Sequence, residues 1–180
     1  MGEKLIAGEP FIVSENDYDW LGSGVYFWEA NPRRGLEFAQ ELQRWRRAKP
    51  NQITEPSVVG AAIDLGFCLD LMSSQGISAV ASMHRDFVEY CARANVPVPA
   101  NAGGQDLRFR ELDCAVINHL HEVRVAGNLE AFDTVRGVFV EGRRIYPDSG
   151  FFEKTHVQIC VRNLACIKGV FRVPEDQLTI

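Results

Sequence analysis

The stretch Gly22-Ser23-Gly24-Val25-Tyr26-Phe27-Trp28, introduced by Tyr18-Asp19-Trp20 and followed by Asn31-Pro32-Arg33-Arg34, decides how this chain is read. Two glycines one residue apart permit a sharp turn and a close approach of backbone, because neither carries a Cβ. Val25 to Trp28 is a β-branched and aromatic run, which predicts a short buried strand. Asn31 is a favourable N-cap and Pro32 suits the first helical position, so a helix is expected to start at once. The unit is a glycine turn, an aromatic strand and a capped helix. Tyr18, Trp20, Tyr26, Phe27 and Trp28 crowd beside the turn, a set of rings able to sandwich a flat ligand.

Upstream, Met1 to Gly8 reads as the end of a helix stopped by Gly8, followed by an extended Phe11-Ile12-Val13. Downstream, Pro32 to Lys49 predicts a helix with Leu36, Ala39 and Leu42 on one face, ended by Pro50. Its arginines, Arg33, Arg34, Arg44, Arg46 and Arg47, read either as a solvated face or as a phosphate-binding edge. Ser57 to Leu65 carries the small and β-branched residues of a central strand buried on both sides. A helical pattern covers Phe67 to Val96, with a break and re-cap at Ser73-Ser74. Val96 to Asp106 is an exposed loop, and Leu107 to Val125 a second long helix stopped by Gly127. Strands follow at Thr134 to Val140, Thr155 to Val161 and Cys166 to Val173, with a loop over Ile145 to Lys154 between the first two. The expected fold class is α+β, a single domain over residues 1–180.

Composition sets bounds on function. The chain has 180 residues, 46% hydrophobic and 24% charged, with a net charge of -5. A domain of this size buries a sizeable core, and no basic field draws it to nucleic acid or anionic membrane. No apolar run approaches the roughly 20 residues of a membrane span and no signal peptide opens the sequence, so a cytoplasmic protein is expected. Five cysteines without a CxxC pair read as reduced, buried thiols, and no metal site is expected. His119 and His121, two apart on a helix, point to different faces and argue against a joint metal site.

Two regions in order resemble one family. Gly22 to Trp28 looks like the Gly-x-Gly-x-Tyr-Phe strand of ADP-ribosyltransferases, above all the poly(ADP-ribose) polymerase and diphtheria-toxin branch. Val157 to Phe171 resembles that family's last motif, a strand bearing the catalytic glutamate, a turn and a closing strand. A bacterial group of ADP-ribosyltransferase-like domains of unknown function is closer still, with Tyr-Asp-Trp-Leu-Gly-x-Gly-x-Tyr-Phe-Trp-Glu near its start and Thr-His-x-Gln-Ile-Cys-Val near its end. The resemblance implies a split two-sheet β core that binds NAD in a cleft, with NAD as substrate. It implies transfer of ADP-ribose to a protein or nucleic-acid acceptor, as in a bacterial toxin or phage-defence effector. Tyr26 matches the tyrosine that stacks on nicotinamide, Phe38 lies near a second stacking aromatic, and Gly22, Gly24 and Trp20 line the same turn. Stacking contributes about 0.5–1.5 kcal/mol per aromatic pair, enough to orient a ring. The other reading of Tyr26 is a core tyrosine with a satisfied hydroxyl.

The chemistry would be loss of nicotinamide through an oxocarbenium-like state, which a nearby carboxylate stabilises. Here the sequence departs from the family pattern. In place of the strand glutamate it offers His156, Val157 and Gln158. Gln158 is the best register match, an amide that orients a ribose hydroxyl without charge, and Glu153 in the preceding loop is a second candidate. Gln158 and His156 read equally as polar residues on a solvated sheet face. The opening strand of the family, with its His-Gly-Thr/Ser or arginine, would lie before Met1: either the true start lies upstream, or an inner strand is lost and is expected to be supplied by a partner or a second copy. Phe151-Phe152 sits where related transferases place an acceptor-recognition loop, or else tucks under the sheet. The competing function is a degenerate module that binds NAD or ADP-ribose without turnover, or a plain interaction domain whose aromatics form core.

Overall fold

The aromatic run becomes β1 (Val25–Trp28) and lies beside β7 (His156–Val161), a strand from the far end of the chain. The computed structural model describes residues 2–45, 53–104 and 106–179. Two further strands, β3 (Cys68–Asp70) and β6 (Thr134–Phe139), complete a sheet in the order β1-β7-β6-β3. β7 is antiparallel to both its neighbours, while β3 runs parallel to β6. The parallel pair requires a long crossover, supplied by the packed helices α3 (Ser74–Ala94) and α4 (Glu111–Ala126). Outside the sheet lie α1 (Gly2–Ile6), α2 (Pro32–Trp45), and an antiparallel ribbon of β2 (Val59–Ile63) and β8 (Ile167–Arg172). The architecture is mixed α+β.

Local chemistry explains the element ends. The Arg34 amide donates to Asn31 Oδ1 at 3.1 Å, so Asn31 caps α2 as expected. The expected end of that helix, Lys49-Pro50, lies outside the described residues. The helical pattern over Phe67 to Val96 is corrected at its start: Cys68–Asp70 is a strand, and the helix begins only after Ser73, whose Oγ accepts from the Gly76 amide at 3.0 Å. It ends at Asn95, which takes the left-handed conformation at φ 52. The second long helix begins at Glu111 and not at Leu107, because β5 (Phe109–Arg110) pairs with β4 (Asn101–Ala102) inside what reads as loop. β2 is corrected too. It is half-buried in a two-stranded ribbon, not central, and its small residues make room for the Phe171 ring, which covers Gly60.

The two faces of the four-stranded sheet have different covers. One packs on α4 through Leu21, Leu69, Ile117, Leu120, Val135 and Cys160, with Tyr26 against them. The other packs Ile159, Val161 and Cys166 toward Phe27, Ile63 and Ile167 of the ribbon side. The outer edge of β1 pairs only at Gly24, with Ser14, among the described residues. All five cysteines are free thiols, four of them buried. No described helix is long and apolar enough to cross a membrane, and no metal-binding group of His, Cys, Asp or Glu occurs among the described residues.

Candidate functional site

The antiparallel register places Tyr26 opposite Cys160 and Trp28 opposite Gln158, and on the other side of β7 it places Gly137 opposite Gln158 and Phe139 opposite His156. With a side-chain period of two, Tyr26, Trp28, His156, Gln158 and Phe139 share the face that α4 covers only at its Cys160 end. The uncovered part is the floor of a cleft of about 750 Å³, walled by Trp20, Arg34, Phe38, Arg108 and Glu141. The strand of the first motif and the strand of the last are neighbours here. Tyr26 and Gln158 therefore stand side by side on one floor, and β7 is an inner strand and not a sheet edge.

Tyr26 Oη is fully engaged by its own turn. The Leu21 amide donates to it at 3.0 Å, and it donates to the Gly22 carbonyl at 2.8 Å. Burial, with Cys160 and Asp19 nearby, pushes the phenol far above its ordinary range, so it stays protonated. The hydroxyl is thus a structural clasp, while the ring edge lines the cleft. Tyr26→Phe is expected to destabilise the fold by about 1–3 kcal/mol, because the amide of Leu21, a fully buried residue, loses its acceptor. Urea denaturation measures this, and an unchanged midpoint would remove the clasp from the account.

Gln158 and His156 do not lie on a solvated face. His156 is only 5% exposed, and Gln158 Oε1 accepts from Trp20 Nε1 at 2.6 Å. The buried Trp20 indole reaches that far because it lies across Gly137, where a Cβ would come within 2.9 Å of the ring. The His156 ring lies between Phe139, at 5.6 Å between centroids, and Trp28, at 6.2 Å. Its Nδ1 meets the Lys154 carbonyl at 2.6 Å. A carbonyl only accepts, so Nδ1 carries the proton and Nε2 is left as an acceptor in the neutral ring. Burial, reinforced by Arg34, holds the imidazole below its ordinary pKa and keeps it neutral.

Glu153 does not reach the cleft: its loop folds back on itself, and its carboxylate pairs with Arg143 at 3.1 Å in solvent. Two carboxylates line the cleft: Asp19, which accepts from the Asn16 amide at 3.0 Å, and Glu141, buried and paired with Arg34 at 2.8 Å. Gly22 and Gly24 are glycines that internal packing requires, and Gly24 also lines the cleft. Gly22 has φ +80 and a Cβ there would sit 2.7 Å from Asn118 Oδ1; one on Gly24 would meet Cys160 Sγ and stand 2.8 Å from the Val161 carbonyl oxygen. Phe151, 67% exposed, does not tuck under the sheet. Phe38 does line it, packed on Trp28 at 5.0 Å with the Arg34 guanidinium 5.9 Å from its centroid.

Phe139 and Glu141 are site residues that sequence reasoning passed over, and it read Arg34 only as one of five arginines on a solvated face or a phosphate-binding edge. Arg34 sits among exposed arginines in an amphipathic helix, and its partner lies 107 positions away, so no local pattern singles it out. Comparison with family models, with curated proteins and with solved structures finds no match for this chain.

Proposed function

We propose that this protein binds NAD in the Tyr26–Gln158 cleft and, as the resemblance to ADP-ribosyltransferases implies, passes ADP-ribose to a macromolecular acceptor on a split two-sheet fold of that type. The observation that carries the reading is the convergence of two motifs from opposite ends of the chain. Tyr26 and Trp20 from the first, and His156 and Gln158 from the last, line one cleft of about 750 Å³, within the range of ligand sites. Aromatic rings supply flat faces for a base or nicotinamide. In this reading a partner strand or a second copy pairs along the outer edge of β1 beyond Ser14.

A second reading, binding of NAD or ADP-ribose without turnover, is favoured by one specific observation. Gln158 brings no charge and its amide oxygen is held by Trp20, while Glu141 is neutralised by Arg34. Neither Gln158 nor Glu141 therefore offers an oxocarbenium-like state a free negative charge. Calorimetric titration with NAD and with ADP-ribose, paired with chromatography for released nicotinamide, separates the two. Binding with release supports the transferase, binding without release supports the module, and no heat with either ligand ends both.

A further inference from the structure

Three buried nitrogens on residues of this cleft have no hydrogen-bond partner among the described residues: Trp28 Nε1, Arg34 Nε and His156 Nε2. Their residues all line the cleft, and Arg34 and His156 are 97% and 95% buried from exposures of 3% and 5%. Native proteins seldom leave such groups unpaired. Trp28 Nε1 and Arg34 Nε only donate, whereas His156 Nε2 accepts, because its Nδ1 proton is committed to the Lys154 carbonyl. Two donors and one acceptor on residues of one lining, with the rings of Trp28, Phe38 and Phe139 among them, match an oxygen with two lone pairs next to an N–H on a flat ring.

We propose that Trp28, Arg34 and His156 hold the amide edge of a planar heterocycle, either a ring-borne carboxamide or a ring lactam. The carbonyl oxygen accepts from Trp28 and Arg34, and the amide N–H donates to His156. This deepens the NAD reading and rests on it for the choice of cleft, though not for the identity of the ligand. Charge favours a neutral amide over a carboxylate. The Arg34 Nη atoms already pair with Glu141 at 2.8 Å and Glu41 at 3.4 Å, and Glu41 also holds Lys154 at 2.8 Å. A carboxylate would bring a second set of lone pairs against His156 Nε2, where only a donor fits.

The test follows the Trp28 indole N–H resonance of ¹⁵N-labelled protein, assigned by its loss in Trp28→Phe, during titration with nicotinamide, nicotinic acid and guanosine. The expected result is a shift with nicotinamide or guanosine and binding at least about tenfold weaker for nicotinic acid, the size of one buried hydrogen bond. Trp28→Phe and His156→Phe keep a ring in place and are each expected to weaken the active probe about tenfold. A response to nicotinamide alone assigns the carboxamide, and one to guanosine alone assigns the lactam. The proposal is overturned if neither moves the indole, if nicotinic acid binds as tightly, or if both variants bind as the unmodified protein does. NAD run in parallel keeps the two readings apart. NAD binding that both variants leave unchanged sinks this inference alone, while guanosine binding without NAD binding sinks the NAD reading alone. The acid-against-amide comparison needs no variant and so survives any variant that fails to fold.

Discussion

Arg34→Met is expected to lower the unfolding free energy by about 3–5 kcal/mol, the usual result of stripping one partner from a buried ion pair. Arg34 is 3% exposed and Glu141 6%. With the guanidinium gone, Glu141 keeps only Arg108, at 3.8 Å. Glu41 fares better, because Lys154 remains at 2.8 Å. The uncompensated charge is therefore Glu141, and the double variant Arg34→Met/Glu141→Leu is expected to recover much of the loss. At about 2–4 °C per kcal/mol for a domain of this size, the single variant melts on the order of 10 °C lower. Urea denaturation of the single and double variants checks the pair. Equal stability of all three proteins would show that the ion pair does not hold α2 to the loop after β6.

The second large effect is on pH dependence and comes from His121. This histidine on α4 is 3% exposed, meets Phe132 edge-on at 5.9 Å, and has no hydrogen-bond partner on either ring nitrogen among the described residues. Burial, with the positive charges of Arg162 and Arg124, lowers its pKa from 6.5 to about 3. The sign follows from linkage. Below pH 6.5 the unfolded chain takes up a proton that the folded protein refuses, so stability falls as pH falls, by about 1.4 kcal/mol per unit. The loss reaches about 3 kcal/mol by roughly pH 4 and levels off only near the folded value. His121→Leu is expected to flatten this part of the curve and to be neutral or stabilising at pH 7, since two unpaired buried nitrogens disappear. Chemical denaturation from pH 7 to 4 measures it. Parallel curves for the two proteins would mean that the imidazole titrates in the folded state.

How much of this was legible in one dimension depends on the range of the signal. The capped start of α2 and strands β1, β6 and β7 were readable, because Asn31-Pro32 and the alternation of Thr155 to Val161 are local chemistry. Cys68–Asp70 was not. Its apolar residues fit a helical period as well as a strand, and only pairing with β6 decides between them. At the site, Tyr26, Trp20, Phe38, Gln158 and His156 were found through motifs, and all five line one cleft. Glu141 was hidden and Arg34 was not told apart from the other arginines of its helix, because an ion pair between residues 107 apart leaves no trace in either neighbourhood. The glycine turn was legible as a position, but the packing that requires it was not. Its missing Cβ atoms make room for Asn118 and Cys160, residues far away in sequence.

The insertion of β7 between β1 and β6 sets the order in which the molecule can be completed. β1 reaches the rest of its sheet only through β7, so the ring of Tyr26 has no floor to join until residue 161 has been made. Pairing across such a separation is slow relative to local helix formation. A ribosome emitting this chain from its N-terminus therefore holds an unassembled cleft until β7 has emerged, and a product terminated before residue 161 has no site with which to engage a ligand.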